Sequence, residues 1–161
     1  MAEARTQRTL AHVPGVVRLP GPIMRALLRA GIQIGPNWLV TCRGRISGEP
    51  RTQALAVLTF GGKRFVVGTF GDVNWCRNLR ANPDATIQLG RRHERVTAVE
   101  LDTAAAETFF RDQLMPGLPS MPLLDRLVTS ILVRSVASDI VYDPRAAALH
   151  RPVFELRPRE A

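Results

Sequence analysis

The hydrophobic positions of this chain fall into short blocks, most of which alternate with polar residues as the two faces of a β-strand do. Glycine turns at residues 61–63 and 90–92 join two pairs of blocks, which indicates antiparallel hairpins. Short strands at this spacing, with helices beside them, predict an α+β, mainly β fold built on a closed or half-closed antiparallel barrel. The blocks that predict strands are 38–42, 51–60, 64–70, 85–89, 95–101 and 153–156.

Helical periodicity predicts four helices, at residues 22–31, 74–81, 103–114 and 123–136. Pro22 suits a first helical turn and Gly31 a stop, while Asn74 and Thr103 are predicted as N-caps. The proline- and glycine-rich stretch 115–122 is predicted as a loop between the last two helices.

One domain accounts for the chain length. The 161 residues can enclose one ordinary core. We predict a loose arm over residues 1–20, a single domain over 21–157 and a tail over 158–161. The first helix has arginines opposite its apolar face, so it either packs on the body or rests on an anionic membrane.

The formal charge of +8 is carried by 21 arginines and one lysine. Coding bias or a polyanionic partner would each produce this excess. The sequence lacks a basic stripe interleaved with aromatic residues, so a nucleic-acid partner is not expected. Residues 1–20 lack the unbroken apolar run of a secretion signal, and charges interrupt the apolar stretch 122–136. We therefore predict a cytoplasmic protein, with peripheral membrane contact through residues 22–31 as the alternative.

Metal and nucleophile motifs are missing from the sequence. Cys42 and Cys76 have no metal-ligand spacing and are predicted to be small packed thiols. His93 and Glu94 begin a zinc motif, but Thr97 stands where the second histidine would be needed. No metal site is expected, and an enzyme with this sequence would rely on an organic cofactor for its chemistry.

A first candidate binding loop has the sequence GRISGEPR. Gly44 and Gly48 permit a tight turn, and Arg43, Arg45 and Arg51 bring positive charge to it. Such a loop can bind a phosphate or carboxylate tail, and the alternative is a hairpin turn with solvated arginines.

A second candidate loop, VVGTFGDVNW, follows a strand. Gly68 and Gly71 would let the backbone approach a planar ring, and Trp75 would provide an apolar wall or pack in the core. In the NLRANP segment that follows, Asn78 and Arg80 share a helical turn that serves as a ligand contact or as a structural cap.

These loops, the GG turn, the run NWCRNLRANP and the C-terminal RPVFELRP together resemble the deazaflavin (F420)-dependent nitroreductase family over about residues 20–157. The resemblance implies the split β-barrel of the FMN-binding-like flavin and deazaflavin oxidoreductases. It also implies coenzyme F420 as the cofactor, with FMN as the alternative.

The resemblance further implies which residues bind the cofactor. The first loop and the strand after it would hold the tail and one ring edge, the second loop would lie along the ring, and the helix after it would complete the pocket. The residues concerned are Arg43, Arg45, Ile46, Ser47, Arg51, Thr52, Gln53, Ala54, Leu55, Val67, Gly68, Thr69, Phe70, Asn74, Trp75, Cys76, Arg77 and Asn78.

The implied activity is direct hydride transfer between reduced deazaflavin and an electron-poor small molecule, with no obligatory protein acid or base. We expect the substrate to lie beneath the helix after Pro122, covered by Leu123, Leu127 and Ile131. Tyr142 is a candidate proton donor. A non-catalytic cofactor or lipid carrier and an FMN-binding oxidoreductase are the alternatives. A homodimer is expected because the strand edges and apolar helix faces need partners.

Overall fold

The computed structural model describes residues 21–159, in which seven strands form one antiparallel sheet. The predicted arm over residues 1–20 lies outside the described residues, as do the last two residues of the predicted tail. The strand order in the sheet is β2-β1-β5-β6-β7-β4-β3. The strands are β1 (Asn37–Arg43), β2 (Pro50–Ala56), β3 (Leu58–Phe60), β4 (Lys63–Val67), β5 (Asp84–Leu89), β6 (Arg92–Glu100) and β7 (Val153–Pro158).

The sheet is curled because its two outermost strands are neighbours in the chain. Only Val57 separates β2 from β3, and its N–H donates to the carbonyl oxygen of Pro36 at 2.8 Å. Strands at opposite ends of the sheet order can be joined by one residue only if the sheet bends back on itself. The single strand predicted over 51–60 is therefore two strands, and the predicted split β-barrel class is confirmed.

Both predicted hairpins are present. Gly61 and Gly62 have φ of +56° and +76° between β3 and β4, and Gly90 has φ of +59° between β5 and β6. Glycine adopts these left-handed values without a side-chain clash.

Seven helices flank the sheet in the described part of the chain. A π-helical turn (Phe109–Leu114) and a 3-10 turn (Leu118–Ser120) adjoin the fourth of them. The helices are α1 (Gly21–Arg29), α2 (Asn74–Ala81), α3 (Thr103–Thr108), α4 (Met115–Gly117), α5 (Leu123–Val136), α6 (Asp139–Tyr142) and α7 (Pro144–His150).

The helix boundaries differ from the predictions in three respects. Most of the predicted loop 115–122 is helical, since each of its short helices accommodates a proline in its first turn. The predicted N-caps are each shifted by one residue. Asp102 caps α3, of which Thr103 is the first residue, and Val73 occupies the N-cap position of α2, of which Asn74 is the first residue. The sequence analysis missed α6 and α7, although Asp143 caps α7 by accepting from the Ala146 N–H at 3.0 Å.

The two faces of the sheet enclose different cores. Val66 and Phe154 face a core that α2 completes through Trp75, whose ring centroid lies 5.9 Å from that of Phe154. Phe65 faces the other way, into a core formed with the helices after β6. Strand alternation thus sends neighbouring residues into separate cores.

Helix α1 packs on the sheet. Met24 and Leu28 are buried against Leu39 of β1. Protein covers Met24 and Leu28 of the apolar face and leaves Ile23 49% exposed, so these contacts give no support to the alternative in which residues 22–31 rest on a membrane. None of the helices within residues 21–159 has the length and apolar character needed to cross a bilayer.

Candidate active site

A cavity of about 610 Å³ lies between β2, the loop after β4 and helix α5. Pockets of roughly 300–1,000 Å³ are typical of small-molecule sites. Its walls divide into two sets of elements, which we call the strand-and-loop wall and the helical cover. The strand-and-loop wall consists of residues 51–56, Val67, Thr69, Phe70 and Trp75, together with Arg25 of α1; the helical cover consists of Val128, Thr129, Leu132, Val133 and Ile140.

Strand β2 presents its edge to the cavity. Six consecutive residues, 51–56, line it, although the side chains of neighbouring residues point to opposite faces of a strand. A cavity can touch all six only if it runs along the strand. β2 is at one end of the sheet order and, within residues 21–159, pairs with β1 alone, so its outer edge has backbone N–H and C=O groups to offer a ligand.

Backbone hydrogen bonds fix the loop after β4. The N–H of Gly68 donates to the Pro152 carbonyl at 2.7 Å, and Gly71, with φ of +91°, donates to Gly68 at 2.8 Å. A Cβ on Gly68 would lie 2.7 Å from the Gly71 oxygen and 3.1 Å from the Cys76 sulfur. Gly68 is thus required by space, not by φ, and it lets Val67, Thr69 and Phe70 line the cavity.

Cys76 lies beneath this loop. Its thiol is buried and donates weakly to the Gly71 carbonyl at 3.8 Å. Burial raises the pKa of Cys76 to about 12, and burial also raises that of Cys42. Both cysteines are packed thiols, as predicted.

The first candidate loop lies outside the cavity except for its last residue, Arg51. The amide hydrogens of Gly44 and Gly48 donate within the loop, at 2.8 and 2.9 Å. The Arg45 side chain and N–H both donate to the amide oxygen of Asn78, at 3.1 and 3.2 Å. Ile46 is 90% exposed. The amides of Gly44, Arg45 and Gly48 are thus engaged within the protein and are not available to a ligand.

The structure brings about half of the predicted binding residues to one cavity. Those that line it are Arg51, Thr52, Gln53, Ala54, Leu55, Val67, Thr69, Phe70 and Trp75. Those that do not are Arg43, Arg45, Ile46, Ser47, Gly68, Asn74, Cys76, Arg77 and Asn78. Asn78, for example, is buried next to Arg45, and Ser47 accepts from the Glu49 N–H at 3.3 Å.

Arg77 and Arg80 belong to an ion-pair network on α2. Both donate to Asp72, at 3.2 and 3.1 Å, and Arg80 also donates to Glu100 at 2.6 Å. Burial acts to raise the pKa of Asp72, but hydrogen bonds from the two arginines outweigh it and lower that pKa overall. Neither guanidinium lines the cavity.

Helix α5 covers the cavity, but with a different face from the predicted one. Val128, Thr129, Leu132 and Val133 line it, whereas Leu123 and Leu127 are exposed and Ile131 does not reach it. Tyr142 also lies outside, with 84% of its surface exposed, because the single-turn helix α6 turns Ile140 inward instead. The structure therefore places the candidate proton donor away from the cavity.

Arg151 ties the two walls together. Its guanidinium donates to the carbonyl of Thr69 in the loop after β4, to that of Val136 at the end of α5 at 3.2 Å, and to Asp139 at 2.8 Å. One half-buried cation thus connects the strand-and-loop wall with the helical cover.

The sequence analysis missed several residues that line the cavity. Met24 and Arg25 come from α1, Asn37 from the start of β1, and Leu114 and Thr129 from the helices after β6. The amphipathic pattern of α1 placed Arg25 on its polar face, and only the packing of that face beside β2 brings Arg25 to the cavity.

The chemistry of the wall fits the implied cofactor. Coenzyme F420 combines a planar ring with an anionic tail. Arg25 and Arg51 both line the cavity and pair with no carboxylate within residues 21–159, so their charge is available to an anion. Trp75, Val67 and the outer edge of β2 supply apolar surface and backbone groups beside them.

Solved structures of similar fold include one described as a domain-swapped dimer, with 22% identity over 84% of this chain and 95% of that one, at a TM-score of 0.50. An F420H2-dependent reductase, FDR-A, has 23% identity over 76% and 94%, at 0.44. The heme storage protein HutZ of Vibrio cholerae has 14% identity over 87% and 90%, at 0.46. No curated protein matches the sequence significantly.

The family model for F420H2-dependent quinone reductase matches residues 24–120. This range is more than half of the chain and contains the whole strand-and-loop wall. The chain therefore belongs to the F420H2-dependent quinone reductase family, and it is a reductase whose cofactor is coenzyme F420.

Proposed function

We propose that this protein transfers a hydride from F420H2 to an uncharged, electron-poor acceptor of the quinone class. The observation that supports this proposal is the division of one cavity into a polar, basic wall and an apolar cover. The basic wall suits an anionic cofactor, and the cover suits a planar acceptor without charge.

The strand-and-loop wall would hold the cofactor. Arg25 and Arg51 would bind its anionic tail, and the outer edge of β2 would donate and accept hydrogen bonds along the ring. Trp75 and Val67 would supply apolar contact beside the ring. When bound, reduced F420 supplies the hydride and its electron pair.

The helical cover would hold the acceptor and exclude water. Val128, Leu132 and Val133 contribute aliphatic side chains, and the rest of the cover adds Ile140 and Thr129. Among the described residues that line the cavity there is no carboxylate, histidine, lysine, cysteine or tyrosine. This composition supports a hydride transfer in which the protein positions both partners and supplies no proton of its own.

Nitro compounds are a second acceptor class, suggested by the resemblance of the binding loops to the F420-dependent nitroreductases. They are also electron-poor and planar around the reacting group, and the apolar cover suits them equally. Direct competition between a quinone and a nitroaromatic compound separates the two classes.

The experiment follows the oxidation of F420H2 by the return of F420 fluorescence, with naphthoquinone or a nitroaromatic acceptor. We expect the protein to accelerate oxidation by the quinone more than by the nitro compound. A carrier would bind F420 yet leave both rates at their protein-free values. FMN, titrated in parallel, should bind more weakly than F420. The Arg91→Gln variant is a suitable control for the loss of one positive charge, because Arg91 lies in the exposed turn before β6.

We further propose that the protein is a homodimer. The supporting features are the apolar side chains of Leu123, Leu124 and Leu127, which α5 leaves exposed on the side away from the cavity. Light scattering on the purified protein gives the molar mass directly. A monomer at micromolar concentration would contradict this part of the proposal.

A further inference from the structure

Thr129 combines two properties that seldom occur together. It lines the cavity from the middle of α5, and its side-chain oxygen is buried without a hydrogen-bond partner within residues 21–159. The whole residue is only 5% exposed. Buried hydroxyl groups in native proteins nearly always have a partner. The missing partner of Thr129 is therefore to be sought in the ligand that fills the cavity.

The other hydroxyl groups of the wall are already engaged. Thr52 shares a hydrogen bond of 2.8 Å with Thr41, and Thr69 donates to the Val67 carbonyl at 3.4 Å. A threonine within a helix commonly donates to the carbonyl four residues earlier, here that of Asp125, but Thr129 makes no such bond. Among the described residues that line the cavity, Thr129 is thus the one whose hydroxyl group makes no hydrogen bond within the protein.

The surroundings of Thr129 make one hydrogen bond decisive. Its neighbours on the cover are Val128, Leu132 and Val133, so a polar atom of the ligand placed here would find no other donor from this helix face. A hydrogen bond is stronger in such a water-poor environment than at the surface. Arg25 and Arg51, which suit charged groups, belong to other elements of the wall.

We propose that Thr129 orients the acceptor by donating a hydrogen bond from Oγ1 to a carbonyl oxygen of a quinone. This inference rests on the proposed function and deepens it. The quinone gains a hydride and a proton and becomes the hydroquinone, while F420H2 loses the same and becomes F420. Thr129 keeps its own proton throughout. Because the carbonyl oxygen gains negative charge as the hydride arrives, the hydrogen bond strengthens along the reaction.

Two substitutions test this role. Thr129→Val removes the hydroxyl and keeps the shape, and Thr129→Ser keeps the hydroxyl. The binding of naphthoquinone, and of naphthalene as its analogue without carbonyl groups, is measured by tryptophan fluorescence on protein saturated with oxidised F420. Trp75 in the wall reports on the cavity. This measurement needs no turnover.

We expect Thr129→Val to weaken naphthoquinone binding about ten-fold, with naphthalene binding unchanged, and Thr129→Ser to remain within about three-fold of the wild type. In turnover, Thr129→Val should lower kcat/KM for the quinone by at least the same factor. The affinity for F420 should not change, and the melting temperature of Thr129→Val should equal or exceed that of the wild type.

Three results would overturn the inference. The first is a naphthoquinone affinity of Thr129→Val equal to that of the wild type. The second is a loss of naphthalene affinity in Thr129→Val as large as its loss of naphthoquinone affinity. The third is a wild type that binds naphthalene as tightly as naphthoquinone. If the wild type binds naphthoquinone through Thr129 but does not reduce it, the proposed function fails and the binding role of Thr129 stands.

Discussion

The strand-and-loop wall and the helical cover face the same cavity but are built in different ways. Apart from Arg25 of α1, the wall comes from one continuous region, residues 51–75, in which a strand edge, a glycine loop and the start of α2 follow one another. The cover comes from α5 and α6, which begin after the segment that matches the reductase family has ended at residue 120. The wall carries the positive charge, whereas the cover is apolar apart from Thr129.

This difference indicates a division of labour between the two sides. A cofactor shared by a family needs a fixed set of backbone groups and charges, which a strand edge and tight loops provide. An acceptor needs a shaped apolar surface, and a helix can provide this through whichever face packing turns inward. We therefore expect changes in the wall to alter F420 affinity and changes in the cover to alter acceptor selectivity.

The largest effect is expected at Gly68, where the wall has no spare room. In Gly68→Ala the new Cβ would meet the Gly71 oxygen at 2.7 Å and the Pro152 ring at 3.0 Å. We expect a loss of about 3 kcal/mol in the free energy of unfolding, with F420 affinity reduced at least ten-fold. Urea unfolding and fluorescence titration measure the two quantities. Gly62→Ala is the matched control, because its Cβ would meet no atom of residues 21–159 within 4 Å and it bears only the strain of φ +76°. Wild-type affinity in Gly68→Ala would contradict the geometry.

Arg151 tests whether wall and cover depend on each other. Arg151→Gln removes the cation that joins Thr69, Val136 and Asp139 and leaves the carboxylate of Asp139 half-buried without this partner. We expect unfolding to become easier by about 2 kcal/mol and both F420 and quinone affinity to fall. Arg111→Gln, which removes an exposed ion pair with Asp112, should leave the midpoint of urea unfolding close to that of the wild type. If Arg151→Gln affects only one ligand, the two walls are independent.

The positive charge of the wall should matter for the cofactor alone. Arg25→Gln and Arg51→Gln are each expected to weaken F420 binding about ten-fold, because each removes a charged hydrogen-bond donor from the cavity. Arg91→Gln should leave the affinity unchanged. Arg45→Gln distinguishes the two parts of the sequence prediction: a larger loss there than at Arg51 would mean that the first loop, not the β2 edge, holds the tail.

Alkaline pH should destabilise the protein through the buried thiol of Cys76, which lies beneath the loop after β4. Because the pKa of Cys76 is raised by burial to about 12, the folded protein keeps this proton above pH 9, where an unfolded chain has lost it. Stability is therefore lost as pH rises from 9 towards 12. Between pH 8 and 10 the free energy of unfolding, measured in urea, should fall by about 1–2 kcal/mol more in the wild type than in Cys76→Ala. The difference should be smaller for Cys42→Ala, since a hydrogen bond with Asn78 partly offsets the burial of Cys42.

The smallest effect is expected at Tyr142, which belongs to neither wall. Its exposed position outside the cavity predicts that Tyr142→Phe changes kcat by less than about two-fold with either acceptor class. A large loss of turnover with unchanged F420 affinity would restore the proton-donor role and would mean that α6 rearranges when ligands bind.

Sequence patterns predicted most of the sheet because alternation and glycine turns are local properties. The β3–β4 and β5–β6 hairpins and the bounds of α5 followed from them directly. The break at Val57 was not predictable in this way, since the apolar pattern continues through it. Only the requirement that β2 and β3 reach opposite ends of the sheet order divides the strand there.

The candidate site shows the same limit. Arg51 and Trp75 could be predicted because they lie in recognisable loops and strands near each other in sequence. The inward face of α5 could not, because this helix has apolar residues on several sides: Leu123 and Leu127 point out, whereas Val128 and Leu132 point in. Periodicity identifies a helix but does not choose between two apolar faces.

By itself, the sequence determined most of the strands, the glycine turns and the class of cofactor, since each follows from residues within a few positions of one another. The tertiary structure alone decided which arginines reach the cavity, which face of α5 covers it and that the Thr129 hydroxyl has no hydrogen-bond partner among the residues that the structure describes. Those features depend on how distant segments pack, because the free energy gained by burying apolar surface does not specify its partner in the sequence.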